Sequence, residues 1–117
     1  MAHGVLIPPG MSDNHPIDAL FATIAARRAA DDSANSYTAR LLAEGVEKCA
    51  KKFGEEAVEA VIAAMAKDKK ALAAESADVL YHLAVLWAAA GITPQDVYAV
   101  LEAREGRSGL AEKAARK

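Results

Sequence analysis

The chain has 117 residues with 14 Lys and Arg against 16 Asp and Glu, and 53% of it is hydrophobic while only 5% is aromatic. That length fits one domain with one core, and a net charge of −2 with a pI near 5.9 argues against nucleic acid as a general partner. No apolar run approaches the roughly 20 residues of a membrane span, and the single Cys49 excludes an intrachain disulfide and points to a reducing cytoplasm.

Residues 1–15 read as an irregular leader, punctuated by Gly4, Pro8, Pro9, Gly10 and Asn14. Met11-Ser12-Asp13 resembles a natural start, so Met1–Gly10 reads as vector-derived, leaving residues 16–117 as the domain. Pro16 suits a first helical turn, with Asn14 or His15 near the cap, and Ile17, Leu20, Phe21 and Ile24 recur at helical spacing towards Ala30. After the polar break Asp31–Asn35, Ser36 is placed to cap a short helix over Tyr37–Glu44, with Gly45 as its stop. The next helix is expected from Val46 to about Ala66, with an apolar stripe of Val58, Val61, Ile62 and Met65. Lys67–Lys70 reads as a charged turn. A long helix then runs from about Ala71 to Ala90, with Val79, Leu80, Leu83, Leu86 and Trp87 as core candidates and Gly91 as its end. Thr93-Pro94-Gln95-Asp96 opens the last sure helix with a cap, a proline at the first position and an acid in the first turn, and that helix stops before Gly106. No segment alternates with period two, so the class is all-α, a bundle of about four main helices. An interior of Ala, Leu, Val and Ile buries little area per residue, which points to completion by a partner subunit, a homodimer or larger homo-oligomer.

Two acidic clusters stand inside these apolar runs: Glu55-Glu56-x-x-Glu59, and Glu75-x-x-Asp78. Spacings of three and four place carboxylates on one helix face, where like charges oppose the helix by roughly 0.2–0.5 kcal/mol per pair. A solvated face laced by pairs such as Lys52–Glu56 is the bland explanation. However, the lysines precede the glutamates, the less favourable order, and Glu59 and Asp78 fall among residues expected to be buried. A buried carboxylate must be paired, protonated or metal-bound. If the two helices face each other, Glu56, Glu59, Glu75 and Asp78 converge from both sides of a groove. Oxygen ligands without a Cys or His pair suit Mg²⁺, with Mn²⁺ as a substitute, better than zinc.

The acidic pattern resembles that of the MazG-type all-α nucleoside triphosphate pyrophosphatases. The words around it are more specific. Ser36-Tyr37-Thr38-Ala39-Arg40-Leu41-Leu42, Lys48-Cys49-Ala50-Lys51-Lys52-Phe53-Gly54-Glu55-Glu56, Glu75-Ser76-Ala77-Asp78-Val79-Leu80-Tyr81-His82 and Ser108-Gly109-Leu110-Ala111-Glu112-Lys113 resemble the phosphoribosyl-ATP pyrophosphatase family. The resemblance runs from about His15 onward, without a departure at the acidic positions. It implies Mg²⁺-dependent hydrolysis of phosphoribosyl-ATP to phosphoribosyl-AMP and pyrophosphate, the second step of histidine biosynthesis, and contact with the cyclohydrolase that usually follows.

On this reading Glu56, Glu59, Glu75 and Asp78 are the metal ligands, and Glu55 either holds a second ion or takes the proton of the attacking water. Lys48 and Lys52 could bind the triphosphate, or simply solubilise their helix. Tyr37 and Tyr81 could touch base or ribose, or pack with a bonded hydroxyl. His82 could act as a general base or bind the substrate, or rest hydrogen-bonded near the core. Arg107, with Ser108, Lys113 and Arg116, forms a basic segment that could clamp the ribosyl phosphate or remain solvated. Gly54, costly inside a helix, suggests a close approach by phosphate or another helix. Cys49 reads as an inert packing residue. The rivals are a house-cleaning pyrophosphatase of the same superfamily and a non-catalytic helical interaction module.

Overall fold

The structure, a computed structural model, describes residues 15–106, so the leader before His15 and the basic segment from Arg107 lie outside the described residues. Among the described residues five helices follow one another: α1 (Pro16–Ala30), α2 (Tyr37–Glu44), α3 (Val46–Met65), α4 (Lys69–Ala90) and α5 (Pro94–Arg104). Among the described residues there is no strand. The all-α bundle expected from the sequence is thus observed. No single helix among them is long and apolar enough to cross a membrane.

Local chemistry sets most of the helix ends. The His15 ring accepts the Ile17 N–H at 3.2 Å, and the Ser36 hydroxyl accepts that of Ala39 at 3.1 Å. Asp68 caps α4 by accepting the Ala71 N–H at 2.9 Å, so this helix begins at Lys69, two residues earlier than expected, and consumes half of the anticipated turn. Thr93 and Asp96 form a complete capping box, each side chain accepting the other's backbone N–H. Gly91 closes α4 with φ of 81°, a left-handed conformation that costs glycine nothing.

The short Ala66–Asp68 connection folds α3 and α4 into an antiparallel hairpin, the most extensive pairing among the described helices. The buried core gathers Ile24 from α1, Leu41 and Leu42 from α2, Cys49 from α3, and Ala84, Val85 and Ala88 from α4. Arg28 ties α1 to α4 by donating to the Ala88 carbonyl at 2.8 Å. Asp18 ties α1 to α5 by accepting from the Tyr98 hydroxyl at 3.1 Å and from Gln95 at 3.3 Å.

Three expectations about packing are corrected. The inner face of α4 is His82, Ala84, Val85 and Ala88, while Leu80 is 46% exposed and Leu86 and Trp87 only flank the core. The α3 stripe is not core in this chain, because the hairpin turns its neighbouring face, with Cys49 and Ala63, inward. Val58, Val61, Ile62 and Met65 are 57%, 60%, 58% and 78% exposed. Nor does Gly54 mark a close helix approach within the chain, since a Cβ added there meets nothing within 4 Å.

Candidate active site

The hairpin brings the two acidic clusters together. Glu56 on α3 and Asp78 on α4 stand at equal depth from the Ala66–Asp68 turn, each about three helical turns away. Glu75 lies one turn from Asp78 on the same face. Each of Glu56, Glu75 and Asp78 offers a carboxylate oxygen, and these oxygens all lie within 4.8 Å of one another. Glu56 and Glu75 are partly buried, and Asp78 is exposed rather than part of the core, because α4 presents it along the groove instead of inward. Burial pushes the Glu75 carboxyl above its ordinary value, and the charges of Asp78, Glu59 and Glu56 add to that push. Three mutually repelling carboxylates with only oxygen donors form a set that a hard divalent cation satisfies.

Glu59 and Glu55 stand apart from this triad. Glu59 is exposed, not partly buried among its apolar neighbours, because those neighbours are themselves exposed. Its charge nevertheless reaches Glu75. Glu55 pairs with Lys52 at 3.1 Å, replacing the Lys52–Glu56 pair anticipated from spacing. The hydrogen bond to Lys52 and its charge hold the Glu55 carboxyl below the usual range, and the same bond raises the Lys52 ammonium.

His82 is the one buried polar side chain among the described residues, 6% exposed, and its Nδ1 has no hydrogen-bond partner. Burial lowers its pKa, opposed first by the negative charge of Glu56 and then by that of Asp78, so the ring sits beside the carboxylate triad as a neutral imidazole. Tyr81 meets it edge-on at 4.9 Å and Tyr37 at 6.1 Å. The Tyr81 hydroxyl is engaged with the Thr38 hydroxyl, so this tyrosine is a packing residue with a bonded hydroxyl, whereas Tyr37 is 47% exposed. Cys49 is buried against the Leu41 carbonyl at 3.3 Å, and burial raises its thiol, which makes it inert.

On the other side of Tyr37 lies a cleft of about 250 Å³ between α2 and α3, lined by Tyr37, Arg40, Leu41, Glu44, Lys48 and Lys52. It gathers the anticipated Lys48, Lys52 and Tyr37, and adds Arg40, which sequence reasoning passed over. The available signal was spacing: Arg40 follows Tyr37 by three residues and shares its face of α2. Arg107, the remaining anticipated contact, lies outside the described residues.

Fold and site together define an all-α protein whose central hairpin carries a carboxylate centre beside a basic cleft. Comparison with known proteins gives the family. Residues 18–105 match the model of the phosphoribosyl-ATP pyrophosphohydrolase family. A phosphoribosyl-ATP pyrophosphatase of Parvibaculum lavamentivorans is 60% identical over 105 residues, covering 90% of this chain and 95% of that protein. Proteins of the same name from Rhizorhabdus wittichii and Azospirillum brasilense are 61% and 57% identical, each over 86% of this chain and over 93% and 90% of their own lengths. The chain belongs to the phosphoribosyl-ATP pyrophosphohydrolase family.

Proposed function

We propose that this enzyme cleaves the α–β phosphoanhydride of phosphoribosyl-ATP, giving phosphoribosyl-AMP and pyrophosphate, with Mg²⁺ (or Mn²⁺) held by Glu56, Glu75 and Asp78. The observation that carries this reading is the approach of those three carboxylates to within 4.8 Å from two helices, in a chain of this family. Glu59, one turn from Glu56 and free of ion pairs among the described residues, is the fourth oxygen ligand on this reading. These carboxylates would hold a divalent cation, whose chemistry there would be to neutralise phosphate charge and polarise the anhydride.

The protein's own groups do the rest. Lys52 projects between the carboxylate face and the cleft, where its ammonium meets the polyphosphate as a point charge. Glu55 orients that ammonium. Because Lys52 depresses it, Glu55 is a poorer proton acceptor than an ordinary glutamate, and we assign it to positioning rather than to general base catalysis. The His82 ring, its pKa lowered by burial, walls the site from the core side, with its Nδ1 buried and without a hydrogen-bond partner.

The uncovered Val58, Val61, Ile62 and Met65 support a homodimer in which a second copy seats on α3. The free thiol of Cys49 suits a cytoplasmic setting. Turnover of phosphoribosyl-ATP compared with dUTP, dCTP and ITP tests the substrate. We expect phosphoribosyl-ATP to be preferred by at least about 100-fold in kcat/KM, a margin within reach of a site that binds an additional substrate charge. Comparable rates on all four would make this a house-cleaning enzyme instead.

A further inference from the structure

Phosphoribosyl-ATP carries two separated anionic ends, a triphosphate and the 5-phosphate of the added ribosyl group, and the carboxylate centre accounts for only one of them. We infer that the cleft between α2 and α3 is a phosphosugar subsite, in which Arg40 and Lys48 bind the ribosyl 5-phosphate and Glu44 accepts from the ribose hydroxyls. This inference rests on the substrate proposed above and extends it to a second, spatially distinct recognition element.

Four observations carry the inference. The first is charge. The cleft is lined by three cationic side chains and a single carboxylate, in a chain whose overall charge is negative. The second is availability. Lys52 is engaged with Glu55, but neither Arg40 nor Lys48 is in an ion pair among the described residues, although Glu44 lies four residues from each of them. Arg40 makes one long contact, from Nε to the Ser33 carbonyl at 3.4 Å, which leaves the two terminal nitrogens of its guanidinium open to a bidentate phosphate.

The third is size. At about 250 Å³ the cleft is smaller than the roughly 300–1,000 Å³ of a pocket that holds a whole ligand, so it suits one end of a larger substrate. The fourth is continuity. Lys52 lines the cleft while pairing with the glutamate next to Glu56, and Tyr37 lines it while meeting His82, whose ring feels both Glu56 and Asp78. Cleft and carboxylate centre therefore share a wall, as two subsites for one substrate must. The donor set also matches the ligand: cations for the phosphate, a carboxylate for sugar hydroxyls, and an exposed tyrosine face for the ribose.

The test uses the full chain with magnesium and two substitutions of exposed side chains, Arg40→Ala and Lys48→Ala, with melting curves to establish that each is folded. Binding of ribose 5-phosphate is measured by calorimetry, and KM for phosphoribosyl-ATP by pyrophosphate release. We expect ribose 5-phosphate to bind the wild type in competition with phosphoribosyl-ATP. Each substitution should weaken that binding and raise KM by about 10-fold or more while changing kcat less than about threefold, the size expected for one charged hydrogen-bonding partner. Arg40→Lys, which keeps the charge and loses the fork, should fall between.

Wild-type turnover of phosphoribosyl-ATP together with an unchanged KM in both folded variants would overturn the subsite and leave the proposed function standing. The reverse pattern separates the two in the other direction: no turnover of phosphoribosyl-ATP, with ribose 5-phosphate still bound and lost in the variants, would remove the function and keep the subsite. Absence of ribose 5-phosphate binding to an active wild type would also overturn the inference.

Discussion

At the scale of single residues, the site is defined by groups whose ordinary ionisation is opposed by their surroundings. Glu75 is pushed up by burial and by three neighbouring carboxylates, and His82 is pushed down by burial although Glu56 and Asp78 pull the other way. The two have opposite consequences for stability. A histidine whose folded pKa lies below its unfolded value of about 6.5 leaves the unfolded chain binding more protons, so its contribution is complete above about pH 6.5 and is lost as pH falls through the lower folded value. A carboxyl raised on folding does the reverse near its own range, since protonation relieves repulsion in the folded state. Metal-free protein should therefore melt at lower temperature as pH drops from about 7.5 to 5.5. His82→Phe, which fills the site without a titrating ring, should flatten that slope. Equal slopes in the two proteins would show that His82 is not held neutral by the fold.

The helical hairpin is the element that makes a centre out of scattered acids. Neither α3 nor α4 alone supplies the triad: Glu56 comes from one, Glu75 and Asp78 from the other. Groups that act through one bound ion are not independent. Glu56→Gln and Asp78→Asn should each lower pyrophosphate release by about 100-fold or more, and the double variant should lose little beyond the worse single one. Without metal, both should melt no lower than the wild type, because each removes a repulsive charge. Multiplicative losses in the double variant would place the two side chains at separate tasks.

Helix ends were legible in the sequence because Ser36, Thr93, Asp96 and Gly91 act on their immediate neighbours. The face each helix buries was less so. Leu80 and Val85 are both apolar, and the packing of α1, α2 and α3 against α4 decides that Val85 goes inside. For the same reason spacing marked Glu56, Glu59, Glu75 and Asp78 as a facing set, yet could not show that Glu59 stands outside the close triad, that Glu55 turns to Lys52 or that Arg40 enters the cleft.

For the molecule as a whole, the apolar stripe on α3 is left exposed among the described residues, and an apolar groove of about 440 Å³ beside α5, lined by Ile92, Val97, Val100 and Leu101 among others, adds to it. Periodicity identified the stripe but could not say what covers it. If a second copy does, Ile62→Asp should shift the protein to monomer in sedimentation and lower its melting temperature, since the charge would be buried without a partner in the dimer. An unchanged sedimentation coefficient would free that face from any role in assembly. Pyrophosphate release from phosphoribosyl-ATP, with magnesium and after chelation, tests whether oxygen donors from two packed helices make this fold a metal-dependent hydrolase. Turnover is expected with magnesium, with its loss on chelation by at least about 100-fold and full recovery on adding the ion back. Undiminished release after chelation would contradict that dependence on metal.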